Sequence, residues 1–210
     1  MGGTIAIGVF SLFLNLVQLD VPLYDQTVKY QTACESVATV ATLNYFGYDI
    51  TIDEFLDSYL DIIEARNVEF SVNGHNIFDV YFVGNPRTYN GWLCYPPVIV
   101  KAVERYFSNI DEKYRRPYNC TGYSFNSLLD EVSKGNPVVV WITQGCQESE
   151  IVDFKGSEYV ALNHAVVLSG YDRNRGVVLI TDSIDGSLEL DYNVVKNVFD
   201  FAGKRSVVIK

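Results

Sequence analysis

Cys34, His164 and Asp182 carry the side chains that can make and break an acyl bond when they meet. A thiol becomes a useful nucleophile when a helix N-terminus or a nearby imidazolium lowers its pKa. Cys34 opens a stretch of small, almost uncharged residues that reads as a buried helix, so backbone N–H groups are expected to point at it. His164 begins the apolar run His164-Ala165-Val166-Val167-Leu168 and can serve as the base. His75, the second of the chain's 2 histidines, lies in the loop-like Ser71 to Asn76 and ranks below it. A hairpin folded about Arg173 and Asn174 sets Asp182 beside His164, within a residue or two of register. A carboxylate there is expected to accept the imidazole Nδ1–H and fix the tautomer. Asp185, further into the following turn, is the weaker alternative. Developing negative charge on an acyl oxygen needs donors. The Cys34 backbone N–H supplies one, and the upstream amide of Gln26 or of Gln31 is a candidate for the other.

Elements must hold these groups. Cys34 to Phe46 is rich in Ala, Val and Thr, so packing rather than propensity stabilises it as a helix. Thr51-Ile52-Asp53-Glu54 reads as a capping box for a second helix with Phe55, Leu56, Tyr59, Leu60 and Ile63 on its apolar face. Pro96 and Pro97 open a third. Leu128, Leu129 and Val132 mark a fourth, stopped by Gly135. Strands are expected at Pro137 to Thr143, Ala165 to Tyr171, Val177 to Thr181 and Ser206 to Ile209, with a short helix at Tyr192 to Phe199. Helices first and antiparallel strands after make an α+β arrangement of two segregated layers.

The 210 residues suit one domain, and no repeat or linker divides them. The net charge of -10 and the absence of a Lys/Arg run argue against nucleic acid as a partner. The 4 cysteines form no CxxC pair, so a structural zinc site is not expected. With Cys34 free, at most one disulfide fits among Cys94, Cys120 and Cys146. The 15 Tyr and 12 Phe suit both a core and a cleft that accepts an extended chain. Thr4 to Val17 is apolar but short of the roughly 20 residues a membrane helix needs. It is read as a remnant secretion signal, with an incomplete gene start and an ordinary buried helix as the alternatives. That reading divides the chain into residues 1–18 and a domain over 19–210. Secretion or attachment to a cell surface is the corresponding expectation.

At these residues the sequence resembles the C39-like branch of the bacterial papain-like cysteine peptidases, from about Leu19 to Lys210. Asp20 to Gln26 is similar to that family's opening strand, which ends in an oxyanion Gln. The resemblance therefore selects Gln26 over Gln31. Ala33-Cys34-Glu35-Ser36 with Leu43 to Tyr48 resembles the nucleophile helix. Phe82 to Pro86 with Tyr95 to Ile99 resembles the middle signature. Gly135 to Thr143 resembles the strand before the His, and Asn163 to Asp172 the His strand. Two positions depart: Ala33 stands where the family has Gly, and Ser183 where it has Pro. The resemblance implies a papain-like fold with N-terminal helices packed on an antiparallel sheet. It implies a peptidase that needs no cofactor or metal and cuts peptide or protein substrates through Cys34, His164 and Asp182, with Gln26 in the oxyanion hole and a thioester intermediate; a monomer is the expectation for its assembly. A transpeptidase or amidase on the same site, and an inactive peptide-binding member, are the alternatives.

Overall fold

Small and β-branched residues give α1 (Cys34–Tyr45) little helical preference of its own, and its surroundings hold it instead. Every residue from Cys34 to Leu43 is buried. Thr39 and Thr42 donate their hydroxyls to the carbonyls of Glu35 and Ala38, which satisfies two polar groups inside the core. The computed structural model describes residues 15–68 and 74–210. Within them, α2 (Pro96–Asn109) starts on its prolines, and α3 (Phe125–Ser133) is capped by the Ser124 hydroxyl. Gly135, at φ 88°, follows α3 in the left-handed conformation that ends helices. Asp191 caps α4 (Tyr192–Phe201) by accepting from Asn193 and Val194.

The strands of three or more residues are β1 (Leu16–Gln18), β2 (Pro117–Asn119), β3 (Val138–Thr143), β4 (Ile151–Phe154), β5 (Ser157–Val160), β6 (Asn163–Asp172), β7 (Val177–Asp182), β8 (Gly186–Asp191) and β9 (Ser206–Ile209). Seven of them form an antiparallel sheet in the order β8-β7-β6-β3-β9-β2, with β1 beside β6, while β4 and β5 make a separate hairpin. β1 precedes Leu19, so the sheet takes in residues on the N-terminal side of the expected boundary. Residues 1–14 of the segment read as a signal remnant lie outside the described residues. No described helix is long and apolar enough to cross a membrane.

The expected antiparallel sheet and N-terminal helices are present, with helices on both faces rather than one. Val139, Trp141, Ala165, Val167, Val207 and Ile209 join the core of α1 and α2. Their alternating neighbours Val138, Val140, Ile142, Val166, Leu168 and Val208 join the core of α3 and α4. A strand buried at every position, such as β3, needs cover on both sides, and that makes three layers.

The second expected helix is shorter than its pattern. Thr51 caps it, but after Ile52–Glu54 the chain widens into a π turn over Phe55–Tyr59, closed by Leu60 N–H to Phe55 O at 3.1 Å. Ile62–Ile63 then pairs in parallel with Phe82–Val83. Asp61, held by Lys101 at 2.6 Å, pins the exit against α2.

Candidate active site

Cys34 is the first residue of α1 and 6% exposed. No side chain caps this N-terminus, so its first N–H groups lack intrahelical partners beside the sulfur. Ala33 is wholly buried at φ -97°, a backbone conformation that needs no glycine, and its methyl is absorbed by the core. The thiol donates to Glu35 Oε2 at 3.4 Å. Burial pushes the Cys34 thiol well above its ordinary pKa and the Glu35 charge pushes the same way; the Ala165 N–H opposes both.

The His164–Asp182 pair depends on a β-bulge. From the turn, β6 and β7 pair as Asp172↔Val177, Tyr171↔Val178 and Gly170↔Leu179. The register then shifts, and Leu168 pairs with Ile180 and Val167 with Thr181. The extra residue is Ser169. Without it, His164 and Asp182 would stand on opposite faces, because a one-residue slip inverts a strand. With it they share a face as diagonal neighbours, two residues from direct opposition. The Ser169 hydroxyl donates to Leu179 O at 3.2 Å and accepts from Thr181 at 3.2 Å, while its carbonyl accepts from Leu19 N–H at 2.8 Å.

His164 Nε2 donates to Asp182 Oδ1 at 2.8 Å, both side chains being buried. Sequence reasoning named the other ring nitrogen. The diagonal placement brings Asp182 to Nε2, and an ionised carboxylate only accepts, so Nε2 carries the proton and Nδ1 the lone pair. Burial pushes the Asp182 carboxyl up, but the His164 bond and charge, with the N–H groups of Ile184 and Asp185, bring it below its ordinary value. Asp185 is exposed and gives Asp182 only this backbone N–H, at 3.3 Å.

Gln26 lies in an irregular segment, where the resemblance implied the end of a strand; the opening strand is β1. Gln26 is buried, and its backbone N–H donates to Ser183 O at 3.0 Å. The Ser183 hydroxyl donates to Gln26 Oε1, which fixes which way the amide points. Nε2 donates to Gln31 O at 3.3 Å and has a second hydrogen to give. The Gln31 amide is used on the carbonyls of Thr27 and Val28. His75 is exposed and lines a different cavity, with Asp79 and Arg205. All four thiols are free. Among the described residues no group of three or more His, Cys, Asp or Glu is placed to hold a metal ion.

A groove of about 350 Å³ is walled by Tyr89, Trp92, Tyr159, Leu162 and Asn163, the residue before His164 in the chain. The Trp92 and Phe154 rings meet at 4.0 Å. Asn163 Nδ2 is buried without a partner among the described residues. Leu162 is exposed and held at φ 54°.

Sequence reasoning missed Glu35 and Ser183. Glu35 left a signal, the one charged side chain in a helix expected to be buried throughout. Ser183 left one too, a hydroxyl where the resemblance implies proline.

Among solved structures the chain is similar to a Bacillus anthracis protein assigned to the C39-like peptidases. The identity is 18%, the TM-score 0.77, and 93% of this chain and 97% of that one are covered. At this identity the likeness establishes a shared fold. Weaker likenesses are to Xylellain, a cysteine protease from Xylella fastidiosa (14% identity, TM-score 0.45, 94% and 86% covered), and to a double glycine motif protease from an AMS/PCAT transporter in complex with the leader peptide (13%, 0.46, 92% and 91%). No curated protein matches the chain. The Peptidase_C39 like family model matches residues 18–206, a span that contains Cys34, His164 and Asp182, and the chain belongs to that family.

Proposed function

We propose that this chain is a cysteine peptidase that hydrolyses peptide bonds with Cys34 as nucleophile. The observation that carries the reading is the buried His164–Asp182 pair, which leaves Nδ1 as the basic nitrogen of an imidazole whose own strand runs past the Cys34 sulfur at Ala165. His164 Nδ1 takes the Cys34 proton, and the sulfur attacks the substrate carbonyl carbon. The Cys34 N–H and the free hydrogen of Gln26 Nε2 receive the oxyanion. His164 returns the proton to the leaving amine. Water, deprotonated by the same Nδ1, cleaves the thioester and frees the thiol. Asp182 orients the ring and stabilises the imidazolium throughout. An extended peptide lying in the groove meets aromatic walls at Trp92 and Tyr159 and an amide donor at Asn163.

A cysteine-directed activity probe tests this on wild type, Cys34→Ala and His164→Ala. Labelling is expected in wild type, none at this site in Cys34→Ala, and a loss of about 10³-fold or more in His164→Ala. Equal labelling of all three removes the peptidase reading. Adding a primary amine to the turnover assay separates hydrolysis from acyl transfer.

A further inference from the structure

Glu35 is buried to 0% exposure, one residue past the proposed nucleophile, and no step above uses it. Its Oε1 accepts the Cys94 backbone N–H at 3.1 Å, and its Oε2 accepts the Cys34 thiol at 3.4 Å. Among the described residues no Lys or Arg pairs with it. The titratable groups that face it are Cys34 on its own helix, Cys94 and Tyr95 on the segment entering α2, and His164 on β6. An ionised carboxylate in so dry a place is costly unless its acceptors are filled. Here one acceptor is filled by the proton that the mechanism requires His164 to remove.

We propose that Glu35 is a positioning residue that gates the nucleophile: ionised, it holds the Cys34 proton on sulfur and away from His164; protonated, it turns its own O–H toward the sulfur and favours the thiolate. The proposal rests on Cys34 being the nucleophile. The proton count closes in each state. With a neutral Glu35, Cys34 passes its proton to His164 Nδ1, and the thiolate–imidazolium pair forms beside a hydrogen-bond donor. With an ionised Glu35, the same transfer sets two negative charges side by side in a dry site, which opposes it. Burial, the largest influence, raises the Glu35 carboxyl to about 7, so both states are populated near neutral pH. A purely structural Glu35 would serve only to bind the Cys94 N–H, and a glutamine does that equally well.

Glu35→Gln is therefore the test, because a glutamine imitates the protonated carboxyl in shape and in having a donor. The rate of Cys34 alkylation by iodoacetamide is followed from about pH 5 to about pH 9 in both proteins, with the labelled residue identified by peptide mapping. Wild type is expected to show an inflection near neutrality. The variant is expected to lose it and to label about tenfold faster than wild type at the alkaline end, with the two within about twofold at the acid end. Superimposable profiles overturn the gate and leave the peptidase reading standing. Failure to label Cys34 in either protein at any pH overturns both. If the variant does not fold, infrared spectroscopy of wild type decides. A buried carboxylic-acid carbonyl band that titrates near neutrality and shifts when Cys34 is alkylated supports the gate, and a band absent or indifferent to alkylation overturns it.

Discussion

Asp182, at the end of a β-hairpin, and Glu35, on the first turn of a helix, are both carboxyls removed from water, and they are held in opposite protonation regimes. Asp182 Oδ1 accepts from an imidazole and from two backbone N–H groups, at 2.8, 2.8 and 3.3 Å. Those donors, and the charge the imidazole can carry, outweigh burial and keep it ionised. Glu35 has its own backbone N–H, that of Cys94 and a thiol, a weak donor, and burial wins. The difference lies in donor strength, an imidazole against a thiol, and in the deeper burial of Glu35. Within one site, a permanent anion can orient a base while a second acid near its titration point adjusts the nucleophile.

The largest expected effect comes from removing the permanent anion. Asp182→Asn keeps the shape, but its amide can present a donor to Nε2 and reverse the tautomer. The expected loss in kcat/KM for a peptide substrate is on the order of 10³-fold, with the fold retained by circular dichroism. Unchanged turnover would show that Cys34 and His164 work as a dyad. The pH dependence of stability separates the two carboxyls further. The folded-state pKa of Asp182 lies below its unfolded value, so its contribution is present above the unfolded pKa and is lost as pH falls through the folded one. Wild type is therefore expected to lose stability toward acid more steeply than Asp182→Asn in urea titrations.

Glu35 has the reverse sign. Its carboxyl rises from 4.5 to about 7 on folding, so the unfolded chain releases the proton first, and stability falls as pH rises between those values. Beyond that window the loss is constant, on the order of 3 kcal/mol. Glu35→Gln is expected to match wild type near pH 4 and to exceed it by that amount near pH 8 in urea denaturation. A variant less stable than wild type at both values would mean that the carboxylate is satisfied as an anion, and the comparison with Asp182 would collapse.

Much of this arrangement is legible in the residues. The small-residue composition after Cys34 marks a buried helix, prolines 96 and 97 its neighbour, and Asp172 to Gly176 the turn that brings His164 and Asp182 together. The parity of that hairpin is not legible. Ser169 is an ordinary strand residue by type, and the shift it introduces lies where β1 pairs on the far side of β6, a long-range contact that local pattern does not carry. The π turn at Phe55 is hidden for the same reason, since its apolar spacing fits a plain helix until Asp61 is drawn to Lys101 and Arg105. β8 alternates exposed and half-buried residues, which leaves it a weak strand signal after the turn at Ser183.

The bulge offers a smaller perturbation that reaches only the Asp182 side. A Cβ on Gly170 would sit 2.3 Å from Val17 O and 2.7 Å from Leu179 Cδ1. A backbone oxygen cannot rotate away, so Gly170→Ala must displace β1 or straighten the bulge. The expected cost is about 1–3 kcal/mol in urea denaturation, with a fall in kcat/KM. The neutral inflection in Cys34 alkylation should persist, because Glu35 takes its contacts from α1 and Cys94. Loss of that inflection would show that the two carboxyls are coupled through β6.

Ser183→Ala has the smallest expected effect and the most local meaning. It leaves Gln26 Oε1 without the hydroxyl that holds it, at a cost of about 1 kcal/mol. The Gln26 backbone bond to Ser183 O survives, so the residue stays in place while its amide loses a fixed orientation. Alkylation of a thiol develops no oxyanion, whereas attack on a peptide carbonyl does. Ser183→Ala should therefore slow peptide turnover by about 3- to 10-fold and leave Cys34 alkylation unchanged at every pH. A parallel fall in both rates would mean that Ser183 acts through Asp182, its chain neighbour, and that the hydroxyl serves the anion-bearing half of the site rather than the oxyanion donor.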